Sequence, residues 1–429
     1  MVTRRKPTDK AAALPRDAGA PPADAGPVQA ASRQAGYATV LNAGFQATAS
    51  RVQEMHEAIA GKTFDGLLRV PGLSVPTRMV QSVHDAITQG VYAAVRHGGG
   101  AAMSLAEGAE RLATDPARVP GAKEQAARSA LNGVFGDSLV AAGSSLAVQM
   151  GLHAGAAQLA LTAGSLDNLR PRVCVFIHGL ACDEQSWRLR NEAWGGSVWA
   201  ESLGDDRPIT YGVLLEHELG VSAIYLRYNS GLPIDANAQA FAALLERAAL
   251  AAPQVLEWQL IGHSMGGLIA RRAHDIAAAD GLAWPKRAPM IICLGSPHLG
   301  APLEKLGHVA SAALNVSNVT KPLARIANAR SQGIKDLRHG LKGKAQSLTP
   351  PALRFVFATL GDESDTTMGP LIGKMFGDGL VMASSAADHG VSGDVQRVEV
   401  AGLGHMGLLN HPRVYALVRR WLGAPAVAD

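Results

Sequence analysis

The chain has 429 residues, room for one large domain and a smaller one. Its apolar fraction of 47% is ordinary for a globular protein, and its formal charge of +4 is too small an excess of base to argue for nucleic acid. Aromatic residues are too sparse for a surface that grips single strands, and Cys174, Cys182 and Cys293 form no CxxC pair, so they read as buried reduced thiols rather than a metal site or a disulfide framework.

Residues 1 to 36 are rich in Pro, Ala, Gly and charge. Such a segment cannot bury enough apolar surface to order itself and is expected to be disordered. It opens with charge, but no apolar run follows, so a secretory signal is not expected. Cytoplasmic residence is the default expectation, with membrane association as its variant. Residues 37–168 read as a helical region. Met79, Val83, Ile87, Val91 and Val95 recur every fourth position, one face of a helix, and Gly98, Gly99 and Gly100 stop it. From Ser138 to Leu166 there is no Asp, Glu, Lys or Arg, and the stretch reads as a buried helix in preference to one lying on a membrane. The region carries no catalytic motif. Its expected role is packing or partner contact, with a lipid surface as one such partner.

Near Arg170 the pattern changes to short apolar runs alternating with helical stretches, which signals a parallel sheet with crossover helices. Strands are predicted at about Val173–Ile177, Ala223–Arg227, Val255–Ile261, Met290–Leu294, Leu353–Leu360 and Gln396–Ala401. Helices are predicted at about Ala236–Ala251, Met265–Ala279 and Pro412–Trp421, the last announced by Asn410 upstream and Pro412 in its first turn. Residues 301–350 form an unusually long connection, better explained as a helical lid than as a structureless loop. The expected fold is therefore α/β, with a mostly parallel central sheet over 169–426, the lid inserted in it, and the helical region before it.

The strongest chemical signal is Gly262-His263-Ser264-Met265-Gly266-Gly267, a G-x-S-x-G between an apolar strand and a helix. The chain must reverse sharply there, leaving Ser264 strained and exposed at the sheet edge. The glycines let strand and helix backbones approach. The Ser264 hydroxyl then sits at a helix N-terminus, where the dipole favours developing negative charge. The run Val173–Ile177 ends in His178-Gly179-Leu180, and the loop after such a strand supplies one oxyanion donor. Leu180 is the assigned donor, with Ala181 the alternative, and Met265 supplies the second. His178 precedes the serine and is given a structural role.

A serine hydroxyl needs a base to take its proton. His405, in Gly402-Leu403-Gly404-His405 after the last strand, is the expected base, with His389 and His411 as rivals. Asp378, between Gly377 and Gly379, is the expected acid. Asp362 and Asp365 compete by position. His298, in Gly295-Ser296-Pro297-His298-Leu299-Gly300, is expected to shape the floor beneath the lid. Trp194 and Trp199 flank a turn that either lines an acyl pocket or belongs to core or surface.

Together these pieces resemble the bacterial serine lipases and esterases of the α/β-hydrolase superfamily, and also lipase-like hydrolases of the GPI inositol-deacylase type. The resemblance covers about 170–425, and Asp378-Gly379-Leu380-Val381 followed by Ser384-Ser385 favours Asp378 as the acid. It implies a carboxylic ester or lipid substrate, cleaved through Ser264, His405 and Asp378, without cofactor or metal. Acyltransferase, thioesterase or polyester depolymerase activity with the same triad is the alternative, as is a protein that binds a membrane or granule surface through 37–168.

Overall fold

The computed structural model describes residues 121–141, 143–189, 191–203, 208–302, 331–341, 351–360 and 378–423, together with scattered positions between 53 and 89. The expected disorder of 1–36, the helical face from Met79 to Val95, the rivals Asp362 and Asp365, and most of the expected lid lie outside the described residues.

An eight-stranded sheet organises the chain, in the order β2-β1-β4-β3-β5-β6-β7-β8. Its strands are β1 (Gly151–Ala154), β2 (Ala157–Gln158), β3 (Arg172–Ile177), β4 (Ser222–Arg227), β5 (Glu257–His263), β6 (Met290–Leu294), β7 (Ala352–Thr359) and β8 (Val395–Ala401). From β4 across to β8 every pairing is parallel. The β1–β2 hairpin joins β4 antiparallel. The fold is thus the expected mostly parallel sheet with crossover helices, and it is the α/β-hydrolase architecture.

Both faces of the sheet are covered, so the inner strands read as continuous apolar runs and not as an alternation. On β3, Val173, Val175 and Ile177 enter one core with α1 (Ala122–Ala141), α4 (Ile234–Ala251) and α5 (Met265–Ala279). Cys174 and Phe176 enter the other, with α3 (Tyr211–Leu219) and α8 (Pro412–Gly423); α2 (Val198–Leu203) lies at its margin. Each fully buried Leu, Val or Ile on these faces contributes about 1.5–3 kcal/mol relative to exposure.

The sheet begins earlier in the chain than the sequence suggests. The stretch from Ser138 to Leu166, read as one buried helix, is instead the end of α1, a turn, and the β1–β2 hairpin. Register places Leu152 opposite Leu226, with both buried. Residues 121–158 therefore supply two strands to the sheet and one helix to its principal core. Of the expected lid, α6 (Gln332–Leu337) is described. It is capped by Ser331, whose hydroxyl accepts from the Ile334 amide. α7 (Ala383–Ala387) follows β7.

Candidate active site

Every candidate residue leaves the carboxyl end of a parallel strand, where the diverging loops of an open α/β sheet make a crevice. Ser264 lies between β5 and α5 with φ 53° and ψ −122°, a conformation rare for a side-chain-bearing residue. The strain is held by close packing on either side. A Cβ on Gly262 would come within 2.3 Å of the Gly267 amide nitrogen, and one on Gly266 within 2.2 Å of the Ile177 carbonyl oxygen. The Ser264 amide donates to the Leu294 carbonyl at 2.8 Å, tying the elbow to β6.

Asp378 and His405 meet across the same edge. The Asp378 Oδ2 accepts from His405 Nδ1 at 2.7 Å. The other oxygen accepts the amides of Val381 at 2.7 Å and Leu380 at 2.9 Å. The His405 amide also donates to the Asp378 carbonyl at 3.0 Å, so backbone and side chain are joined twice. Burial alone would raise the Asp378 pKa. The neighbouring His405, its hydrogen bond and the two amides outweigh that and hold the carboxyl below its ordinary value. With Nδ1 committed to the acid, His405 Nε2 is buried and has no hydrogen-bond partner among the described residues. Neither rival histidine, His389 nor His411, lines the cavity described next.

Ser264, His405 and Asp378 line one cavity of about 490 Å³ with almost wholly apolar walls. Leu180, Leu189, Leu337, Leu380 and Met406 contribute to it. So do Ala126, Ser129 and Ala130 of α1. That helix belongs to the region in which the sequence offered no catalytic motif. Trp194 is not part of the lining. It is buried in the opposite core, donates to Asn410 Oδ1 at 3.1 Å and meets Tyr415 edge-on, so the acyl-pocket reading of that turn gives way to the core reading.

The two amides expected to hold an oxyanion are available. The Ala181 amide is taken, donating to Ser230 Oγ at 2.9 Å, whereas the Leu180 and Met265 amides have no acceptor among the described residues. His178 braces the loop: its Nδ1 donates to the Gly179 carbonyl at 2.8 Å, its ring stacks on Tyr228, and the Tyr228 hydroxyl donates to the His178 carbonyl. Burial, first of all, lowers its pKa to about 4, so it is neutral. His263 is also neutral: burial and the adjacent His405 lower its pKa to about 3. Its Nε2 donates to the His405 carbonyl at 3.1 Å. The supporting roles of His263, Tyr228 and Ser230 had no signal in sequence, because each depends on which loops the sheet brings together.

No group of His, Cys, Asp and Glu suited to a metal ion occurs among the described residues, and none of their helices is long and apolar enough to cross a membrane.

Sheet order and the strained elbow define the fold as that of the α/β hydrolases, with Ser264, His405 and Asp378 lining one cavity at its edge. Within that fold, residues 244–341, which include the elbow, match the family model described as the PGAP1-like alpha/beta domain. No curated protein matches the chain. Among solved structures, it is similar to the lipase BlEst2 of Bacillus licheniformis in its mature form, at 17% identity over 64% of this chain and 98% of that one, with a TM-score of 0.39. It is similar to a lipase-esterase related protein from Clostridium acetobutylicum at 12% identity, covering 59% and 94%, with a TM-score of 0.33. The RedJ thioesterase of the prodiginine pathway in Streptomyces coelicolor is similar at 16% identity, covering 60% and 91%, with a TM-score of 0.31. The assignment of fold rests on the chain's own topology.

Proposed function

We propose that the protein is a carboxylic ester hydrolase that works through an acyl-enzyme on Ser264. The observation that carries this reading is a cavity whose largely apolar wall is shared by the serine of a strained elbow, a histidine paired with a buried carboxylate, and Leu180, whose amide has no acceptor among the described residues. His405 Nε2 takes the Ser264 proton as the hydroxyl oxygen attacks the acyl carbonyl. Asp378 holds the ring in the tautomer with hydrogen on Nδ1 and stabilises the imidazolium. The Leu180 and Met265 amides hold the oxyanion, each contributing about 3 kcal/mol to the barrier reduction. The alcohol leaves with the proton from His405. Water, deprotonated by the same nitrogen, then releases the acid. No step requires a cofactor.

Walls whose exposed area is so largely apolar suit an acyl chain better than a charged or sugar-like one, so the substrate side of the proposal is an apolar acyl ester. Contact with a lipid surface would bring such a substrate to the mouth, where Leu189 and Met406 line the cavity and are exposed. A purely binding role for residues 121–158 has less support, since they are spent on α1 and on two strands of the sheet. The test is Ser264→Ala, assayed with short p-nitrophenyl esters and a fluorophosphonate probe. The expected loss is about 10⁶-fold in kcat, with no labelling and an unchanged fold. Turnover persisting in that variant would remove the proposal.

A further inference from the structure

The glycine edge of α1 lies directly behind the loop assigned to the oxyanion. A Cβ on Gly133 would stand 2.6 Å from the Ala181 Cβ, 2.7 Å from its Cα and 2.9 Å from its nitrogen. Real Cβ atoms do not approach so closely, so only glycine permits this seat. Ala181 itself has φ 59°, left-handed and unfavourable for alanine, next in the chain to Leu180. Its amide donates to Ser230 Oγ. The turn that holds Ser230 closes on the same helix edge: a Cβ on Gly231 would stand 2.1 Å from the Asn132 carbonyl oxygen, and Asn229 Nδ2 donates to the Gly136 carbonyl. The helix bends to fit, with Phe135 at φ −125° and ψ 15° between the two glycines.

α1 is anchored on its remaining sides. Ser129 Oγ donates to Asp183 Oδ2, Asn132 spans the chain between the Leu146 carbonyl and the Val148 amide, and Ser331 Oγ donates to the Gly133 carbonyl. The oxyanion loop is thus clamped between a helix and a turn, both fixed from elsewhere. We propose that Gly133 is a positioning residue, through whose contact with Ala181 the N-terminal helix sets the place of the Leu180 amide. The proposal rests on the hydrolase reading above and extends it: a helix that precedes the parallel strands in the chain aims the donor that meets the transition state. Ground-state ester binding asks little of that amide, because its bond tightens only as the carbonyl becomes tetrahedral.

The experiment compares Gly133→Ala and Ala181→Gly with the parent protein on a short p-nitrophenyl ester. It also measures inhibition by an alkyl boronic acid, which forms a tetrahedral adduct on the serine. Gly133→Ala should lower kcat about tenfold with KM within about twofold, and weaken boronate inhibition by a similar factor. Ala181→Gly suits the positive φ and should melt no lower than the parent. It nevertheless removes the methyl that meets α1, so its kcat should fall by several-fold. A merely structural contact would move melting and not this pair of readouts. If Gly133→Ala does not fold, Ala181→Gly alone decides. A parent that turns over ester while the folded variants keep full kcat and boronate affinity would overturn the positioning role alone. An inert parent would overturn the hydrolase reading and this inference with it.

Discussion

Two buried acid–base clusters sit near each other in the chain and behave as opposites. In one, Asp378 pairs with His405 at 2.7 Å, and the far ring nitrogen is left without a partner beside the cavity. In the other, Arg271 lies between Asp388 at 2.9 Å and the Nδ1 of His298 at 2.8 Å, and the far ring nitrogen of His298 is likewise buried without a partner among the described residues. Arg271 also stands over the Phe355 ring. None of its three side chains lines the cavity that holds Ser264. Arg397 closes the second cluster from behind by donating to the Asp388, Ala387 and Val391 carbonyls. A buried ion pair is therefore no sign of catalysis by itself. What separates the two is whether a polarised atom is left facing a space where another molecule can come.

That contrast breaks if the first pair turns out to be structural. Asp378→Asn keeps the shape and the amide contacts to one oxygen, but presents His405 with a group that does not stabilise an imidazolium. It should lower kcat by on the order of 10⁴-fold while KM and the melting temperature change little. Steady-state kinetics and a thermal melt on the same preparation check this. A variant that loses fold and activity in parallel would put Asp378 in the class of Asp388.

The contrast sharpens from the other side with Arg271→Met. The substitution leaves Asp388 as an uncompensated buried charge, which costs about 3–5 kcal/mol of stability. Urea unfolding should show that loss, while the folded fraction at low temperature keeps its kcat within about twofold. A large fall in kcat without loss of stability would mean that the second cluster reaches the cavity through the loop at Ser296–Gly300.

How much of this was readable beforehand follows the same division. Met265–Ala279 and Met290–Leu294 match the observed elements because periodicity and burial act locally there. The elbow, Asp378 and His405 were legible because strained turns and loop-borne polar residues demand special residues at short spacing. The hairpin at Gly151–Gln158 was not, since its four- and two-residue strands carry glycine and alanine and show no alternation. Nor was the place of α1 in the cavity wall. Its contribution to the wall is made by Ala126, Ser129 and Ala130, small residues that let another segment approach. Glycines inside a helical stretch, Gly133 and Gly136, were the available signal of close approach. Trp194 was open in sequence between pocket wall and core or surface, because a large aromatic beside glycines fits each, and it fills a core.

The smallest expected effect tests what the histidines themselves reveal. His178, His263 and His298 are buried and neutral, with pKa values lowered to about 4, to about 3 and well below the ordinary value, in each case chiefly by burial. At His298 the Arg271 guanidinium adds to burial. Each folded-state pKa lies below the unfolded value of 6.5, so the unfolded chain binds protons first as pH falls. Stability contributed by these groups is complete above pH 6.5 and declines below it, until the folded state also takes the proton. At pH 5 the loss amounts to about 2 kcal/mol each for His178 and His263. Asp378 does not confuse the reading: its depressed carboxyl contributes stability above its ordinary value of 3.8 and loses it only at still lower pH. Urea unfolding at pH 7 and pH 5 measures the slope. His298→Asn keeps an acceptor for Arg271 but has no titrating ring, so it should flatten the slope by about one histidine's share. A slope unchanged in His298→Asn would mean that this ring is protonated in the folded protein. Cation would then face cation beside Arg271, and the closed cluster could not be the purely structural counterpart of the open one.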